Sequence, residues 1–313
     1  MTSSQGRQPL RLMETFRSVF YTPIHVAVAG GFLEKEGLDV TFSTCPSQFP
    51  HPLSALLHEA ADIVQSGIMR SIIASDWGAE SVPMHFAKIN SRDGFFVLGR
   101  SKSGSNSGQF NWDDFKGSRV IPVGFSPMPW ASFQYALHAH GVDPGQLNLI
   151  TGLDLDDAIT GFNQGQADFI HLPEPAAEQV LAGDGVHLAV ALGPTNGHIA
   201  YSSFAATNKL LDAKPDLVLR FTQGYARALQ WLAANDAATV GSAVKEFFPG
   251  VDLDLIVRSV DRYKAQDNWP TEPSLNEPEY QGLQDILMAA GMVKERQSYT
   301  KVVRPSIVQQ ALA

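Results

Sequence analysis

The chain is poor in cysteine, in charge and in long apolar runs. Of its 313 residues, one is cysteine, Cys45. A disulfide framework or a cysteine-based zinc site needs more. A single thiol leaves the redox compartment open. No run of about 18 apolar residues occurs, so a membrane-spanning helix is not expected. Charged residues make up 18%, with 23 basic against 32 acidic and a formal net charge of −9. Basic runs and arginine stripes are missing, so nucleic-acid binding is not expected. No Gly-rich loop of the phosphate-cradling kind is found, so nucleotide hydrolysis has no support. The stretch from Met1 to Pro9 is polar and lacks the apolar segment of a secretory leader. Either the protein is cytoplasmic, or it is periplasmic with a leader removed; the localisation stays open.

What is present is an ordinary apolar content of 44%, enough for a sizeable buried core. At about 150 residues per domain, the length favours two domains or lobes. Strand and helix signals alternate, the signature of an α/β protein. Strands are expected at Pro9–Thr15, Leu38–Ser43, Ala61–Val64, Val82–Ile89 and Gly94–Gly99. Helices are expected at Pro23–Glu36 and Leu53–Ala60, with another starting over Ser66–Arg70. Lys102–Gln109 is rich in Ser and Gly and reads as a loop. A second unit follows, with strands at Arg119–Val123, Leu147–Thr151, Ala167–Leu172 and Val186–Ala191. Its helices are Trp130–His140, Asp154–Asn163 and Pro173–Leu181. After a strand at Tyr201–Thr207 the chain turns helical. Leu217, Phe221, Tyr225, Ala228 and Leu232 recur at three and four, which marks one buried face of a long helix over Pro215–Asn235. Further helices are expected at Ala237–Phe248, Leu253–Tyr263 and Glu279–Ala290.

Several segments match a known pattern in order. Tyr21-Thr22-Pro23-Ile24-His25 leads into Gly31-Phe32-Leu33-Glu34-Lys35-Glu36-Gly37-Leu38-Asp39-Val40. Asp113 to Val120 reads DDFKGSRV, and Gly165-Gln166-Ala167-Asp168-Phe169 precedes Pro173-Glu174-Pro175. Tyr263, Trp269-Pro270 and Leu283 to Leu287 follow near the end. Together these resemble the nitrate/sulfonate/taurine type of substrate-binding protein of ABC transporters, over nearly the whole chain. The resemblance implies a type 2 periplasmic-binding-protein fold: two lobes, each a mixed sheet flanked by helices, with a ligand cleft between them. Lobe I would comprise residues 9–96 and 202–313, and lobe II residues 97–201. The implied function is capture of a small organic ligand (a sulfonate, carboxylate, pyrimidine or related molecule) by lobe closure. An ABC permease and ATPase would then be partners, and a monomer is expected. No cofactor is implied.

In open α/β sheets, ligands sit beyond the carboxyl ends of strands. That rule nominates Phe20, Tyr21 and Thr22 after the first strand, by stacking and a hydroxyl; loop packing is the competing explanation. Ser66 and Gly67 lie where a strand turns into a helix and could hold an anion. Arg70 could offer its planar fork to a carboxylate or sulfonate, or lie solvated on its helix. Ser126 and Trp130 open the matching helix of the second unit. His171 and Glu174 end a strand, where a carboxylate could accept from a ligand or serve the structure. His198 and Tyr201 lie near the crossover, so a hinge role competes with contact. His138 and His140 do not share a helix face. His51 and His58 lack a third ligand, so no metal site is expected.

Two enzymes resemble the same family. A thiamine-pyrimidine synthase carries a Lys and a His where this chain has Ser66 and Arg70, and a Cys-rich motif that this chain lacks. An aromatic sulfinate desulfinase carries its nucleophilic Cys near the position of Ser18, while Arg70 and Gly94-Phe95-Phe96-Val97 do resemble it. Cys45 with His51 or His58 is a second candidate pair for nucleophilic chemistry. A binder is expected rather than an enzyme, with a cytoplasmic enzyme on the same fold as the alternative.

Overall fold

The computed structural model describes residues 6–100, 110–124 and 126–313. The loop expected at 102–109 lies outside the described residues, as does Phe125 of the turn before Trp130. Among the described residues, no helix is long and apolar enough to cross a membrane.

Among the described residues, ten strands form two five-stranded mixed sheets. The first has the order β2-β1-β3-β10-β4. It contains β1 (Gln8–Glu14), β2 (Leu38–Thr44), β3 (Ile63–Gly67), β4 (Met84–Asn90) and β10 (Ser202–Ala206). Strand β1 pairs in parallel with β2, from Gln8 opposite Leu38 to Glu14 opposite Thr44, and with β3 through Leu12 opposite Ile63. Strand β10 enters from the far end of the sequence and runs antiparallel between β3 and β4. The second sheet has the order β7-β6-β8-β5-β9. It contains β5 (Phe95–Arg100), β6 (Arg119–Ile121), β7 (Asn148–Leu149), β8 (Phe169–Pro173) and β9 (Val186–Ala191). Here β5 is the antiparallel insert, between β8 and β9. This is the two-lobed type 2 architecture that the sequence pattern implied.

The chain passes between the sheets twice, through residues 91–94 and 192–201. The two passages run side by side. Ile199 N donates to Ser91 O at 2.8 Å, and Tyr201 N to Asn90 O at 3.3 Å.

The long helix forms over Pro215–Ala234, and Leu217, Phe221, Tyr225, Ala228 and Leu232 are all buried. Its aromatics meet the sheet: Phe204 of β10 packs edge-on to Phe221 and Tyr225, each at 4.8 Å between centroids. The Tyr225 hydroxyl donates to the Lys88 carbonyl at 2.9 Å, so a buried polar atom is satisfied. The helix Leu253–Ala265 packs on the helix Ala237–Val244, which in turn packs on the helix Thr22–Ala29. The C-terminal helices thus belong with the first sheet, yet Leu253–Ala265 also reaches the helix Ala176–Leu181 beside the second.

Three local expectations need correction. The helix expected over Pro23–Glu36 is two helices, Thr22–Ala29 and Phe32–Lys35. Gly31 between them has φ 65°, a left-handed conformation that breaks the run and that glycine adopts without a Cβ clash. The helix expected to start at Ser66 begins at Met69 instead, because β3 runs on through Gly67. Ser66 and Gly67 pair with Ser203 and Ser202 of β10, so they are sheet residues rather than a helix N-terminus. The helix expected from Trp130 starts earlier, at Pro127.

Candidate functional site

The parallel strands of both sheets direct their carboxyl ends toward the junction of the lobes. On the first sheet, β1 ends at Glu14, whose side chain is fully buried. Glu14 accepts from Thr44 Oγ1 at 2.9 Å and Arg17 Nε at 2.6 Å, and its other oxygen is 3.0 Å from His25 Nε2. This network fixes the loop that carries Ser18 to Thr22. His25 stacks on Phe247 at 4.8 Å, and burial lowers its pKa.

Phe20 is buried, and its carbonyl accepts from Asn90 Nδ2 at 2.8 Å and Trp269 Nε1 at 2.9 Å. Its ring is the hub of an aromatic group: Tyr21 at 5.3 Å, Tyr201 at 5.5 Å, Tyr263 at 5.4 Å and Phe95 at 6.4 Å. The Thr22 hydroxyl is used within the chain, donating to Val19 O at 2.7 Å. Burial holds the Tyr21 phenol well above the ordinary range, against the pull of the neighbouring Gln65 amide and of Arg70. The Ser66 hydroxyl donates to Gly67 O at 3.3 Å.

Arg70 is half-buried on the helix Met69–Asp76. The titratable groups that reach it are Tyr21 and Cys45, both protonated near neutrality, and His51. Among the described residues no carboxylate pairs with it. Burial lowers its pKa, yet an arginine stays charged at neutral pH. Cys45 and His51 share this corner. Burial raises the Cys45 thiol and outweighs the pull of Arg70, so the protonated form is favoured. Burial lowers the His51 imidazole, with Arg70 adding to it.

On the second sheet, His171 of β8 is 1% exposed and lies between Phe95 at 5.5 Å and Phe133 at 5.3 Å. Neither of its ring nitrogens has a hydrogen-bond partner among the described residues. Burial pushes its pKa down to about 3, so the ring is neutral. Trp130 packs edge-on to Phe133 at 5.7 Å. With Gly124, Ser126 and Thr151 it lines a cavity of about 340 Å³ at the ends of β6 and β7. Ser126 precedes the helix Pro127–Ala139 without capping it through its side chain.

Glu174 is buried and engaged by the protein. Its Oε2 accepts from Glu178 N at 2.9 Å, and Arg262 Nε lies 2.9 Å from Oε1. Burial pushes its pKa up to about 7. Arg262 also pairs with Glu178, as does Arg258 at 3.1 Å. Ser18 Oγ donates to Glu174 O at 3.2 Å. The Tyr263 hydroxyl accepts from Glu174 N at 3.2 Å and donates to Gly94 O at 2.8 Å. These contacts join the two lobes beside a groove of about 710 Å³ lined by Pro175, Gln179, Asp252 and Arg258. His198 is exposed on the second passage between the sheets and pairs with Asp267 at 2.9 Å.

Phe95 links Phe20 of one lobe to His171 of the other, with ring centroids 6.4 and 5.5 Å away, and Tyr21 lies beside Phe20. Trp130 reaches the same aromatic group through Phe133. Tyr201, named with His198 near the crossover, lies here too, and so do Gln65 and Asp93, which the nominations omitted. The Tyr201 hydroxyl and Gln65 Nε2 are buried without a partner among the described residues. Asp93 is fully buried; its Oδ1 accepts from Phe95 N at 2.7 Å, while Oδ2 has no partner among them. Burial pushes Asp93 up to about 7. Gln65 carried one readable signal, its place inside a short apolar strand whose neighbours Ile63, Val64 and Ser66 are buried with it; Asp93 carried none. Among the described residues, no group of three or more His, Cys, Asp or Glu could hold a metal ion.

Comparison with known proteins adds four results. A family model described as "NMT1/THI5 like" matches residues 19–239. The putative binding protein YtlA of Bacillus subtilis (strain 168) is 29% identical over 301 residues, covering 96% of this chain and 89% of the relative. The alkanesulfonate-binding protein SsuA from Xanthomonas axonopodis pv. citri, bound to MOPS, superposes with a TM-score of 0.71 at 17% identity, covering 96% of this chain and 100% of that one. The desulfurization enzyme DSZB superposes with a TM-score of 0.67 at 15% identity, covering 98% and 99%. At such identities the structural likeness establishes the fold, which binders and an enzyme share.

Proposed function

Since the chain belongs to the NMT1/THI5-like family, we propose that it is a solute-binding protein that captures a small organic ligand between its lobes. The observation that carries this reading is a set of buried polar groups left without protein partners at the lobe junction. Arg70 has no carboxylate, and the Tyr201 hydroxyl and both His171 nitrogens have no hydrogen bonds among the described residues. An unsatisfied buried polar group costs about 1–3 kcal/mol, so a cluster of them is a site awaiting a guest. Phe20, Tyr21, Arg70, Trp130 and His171 are its residues in this reading, with Gln65 and Tyr201 added. The likeness to YtlA and SsuA supports a binder.

A ligand that touches both lobes favours the closed arrangement through its differential contacts. The moving units would be the bodies built on the two sheets. All six residues of β5 pair within the second sheet, so we place the change of lobe at 91–94 rather than after 96. An ABC permease and ATPase would be the partners that receive the ligand, and the protein would act as a monomer. Conversion of the ligand is the second reading, favoured by the convergence of Cys45 and His51 on Arg70. Against it stands the raised Cys45 thiol, a poor nucleophile.

Thermal-shift screening against sulfonates, aromatic carboxylates, pyrimidines and amines tests the proposal. A true ligand raises the melting temperature by mass action. Recovery of the ligand unchanged supports binding. Conversion that Cys45→Ser abolishes overturns the binder in favour of the enzyme.

A further inference from the structure

We propose that Phe20 is the bearing of the movement between the lobes. It is a positioning residue that meets both connecting passages and the segment clasping them, and so ties the loop carrying Tyr21 to the lobe angle. The inference rests on the lobe movement of the reading above and deepens it.

At 1% exposure the Phe20 ring offers almost no surface to a guest, so it serves the site through its contacts with the chain. Its backbone is held from several directions. The carbonyl accepts from Asn90 Nδ2 at 2.8 Å, where β4 enters the first passage, and from Trp269 Nε1 at 2.9 Å. The amide donates to Ser18 Oγ at 3.2 Å. The ring is therefore presented in a fixed place.

That place is against the passages themselves. A Cβ on Gly94 of the first passage would fall 2.3 Å from ring atoms Cδ2 and Cε2 and 2.8 Å from Cζ, so the ring lies directly on backbone. On the second passage Tyr201 stands edge-on to it at 5.5 Å. Interiors are packed as densely as organic crystals, and a flat ring wedged against two backbone segments limits how far either can bend.

The clasp is residues 266–269, which follow the helix Leu253–Ala265. Asn268 O accepts from Ser91 N at 2.8 Å, and Asn268 Nδ2 donates to Asp93 O at 3.0 Å, so one buried side chain grips the first passage. Asp267 pairs with His198 of the second passage at 2.9 Å. Trp269 completes the circuit at the Phe20 carbonyl. Passages and clasp thus share one fixed point. Tyr21 is the next residue, its ring 5.3 Å from that of Phe20, so a guest that seats Tyr21 acts on the same point.

Distances between two spin labels in the empty protein test the inference. Gln230→Cys on the helix Pro215–Ala234 and Thr160→Cys on the helix Leu155–Asn163, both exposed, put one label on each lobe in a Cys45→Ser background. Phe20→Leu should widen the distance distribution by about twofold or more, because a large-to-small change leaves the contact unfilled. Phe115→Leu is an equally buried change whose ring neighbours, Phe133 and Phe169, belong to the body of the second sheet. It should lower the melting temperature and leave the width alone. Leucine lacks the Cε2 and Cζ atoms that a Cβ on Gly94 would strike, so Phe20→Leu with Gly94→Ala should narrow the distribution again. If Phe20→Leu melts below room temperature, Phe20→Met takes its place with the same expected widening. An unchanged width in the Phe20 variant, equal widening in Phe115→Leu, or no narrowing in the double variant overturns the bearing. All three are read without ligand and leave the binder standing, which falls only on the ligand screen.

Discussion

Arg262 lies 2.9 Å from Glu174 although 88 residues separate them in the chain, and the ion pair joins a helix packed with the first sheet to the end of a strand in the second. Both partners are removed from bulk water, Glu174 completely. Removing one partner of such a pair leaves the other charge buried and typically costs about 3–5 kcal/mol. Arg262→Met keeps the stem and deletes the charge. Its expected outcome is a lower melting temperature and a larger radius of gyration by solution scattering. An unchanged radius would show that the pair does not hold the lobes together.

Arg70→Ala should weaken an anionic ligand by roughly 10- to 100-fold, the range for losing one charge-assisted hydrogen-bonding group of about 1.5–3 kcal/mol. The melting temperature without ligand should hold or rise, since the free guanidinium is partly desolvated and unpaired. Titration calorimetry reads the first effect and a thermal melt the second. Unchanged affinity removes Arg70 from the site.

Gly94 permits the close approach of Phe20. A Cβ at this position would sit 2.3 Å from the Phe20 ring. Gly94→Ala should force that ring aside and cost about 1–3 kcal/mol of stability, as overpacking does. Ligand affinity should fall with it, because Phe20 is the hub of the aromatic group. Denaturant unfolding checks the stability, and calorimetry the affinity.

His85 is fully buried between the hydroxyls of Ser203 at 2.6 Å and Ser71 at 3.0 Å, and burial pushes its pKa down to about 3 from an ordinary 6.5. Between those values the unfolded chain binds a proton that the native protein does not. Stability therefore falls as pH drops from about 6.5 toward 3, by up to about 1.4 kcal/mol per pH unit. His85→Asn should flatten that slope in melts recorded from pH 7 to pH 4. An unaltered slope would assign the acid sensitivity to other groups.

Asp93 acts in the opposite sense. Burial pushes its pKa from 3.8 up to about 7, so over that window the native protein keeps a proton that the unfolded chain has lost. Its contribution falls as pH rises from about 4 to 7. Asp93→Asn should raise the melting temperature at pH 7 relative to pH 4. A drop at pH 7 would mean that Asp93 is ionised and paired.

Much of the fold was legible because its signals are local. The three-and-four spacing of Leu217, Phe221, Tyr225, Ala228 and Leu232 placed the long helix to within one residue. The alternation at β2 and the short run at β10 did the same for strands. What failed was also local, but subtler. Gly30-Gly31 looked like two small residues inside a helix, yet the left-handed Gly31 ends it. Of the proposed site, Tyr21, Arg70 and His171 were nominated from the sequence, because strand ends nominate their own loops. Glu174 was nominated by the same rule, but Arg262 engages it from far along the chain. Asp93 and Tyr201 come together through the paired passages between the sheets, and no spacing in the sequence announces that.

The two passages that connect the sheets are hydrogen-bonded to each other at Ser91–Ile199, and Tyr201 bonds to Asn90 where β4 enters the first passage. Two tethers laid edge to edge behave as a ribbon: stiff against shear and torsion, compliant against flexure about the line across both. Under the proposed closure, the protein would therefore swing along a single arc. Tyr201 lies at the end of one tether and touches Phe20, so the angle of that arc and the shape of the recess would be set by the same few atoms.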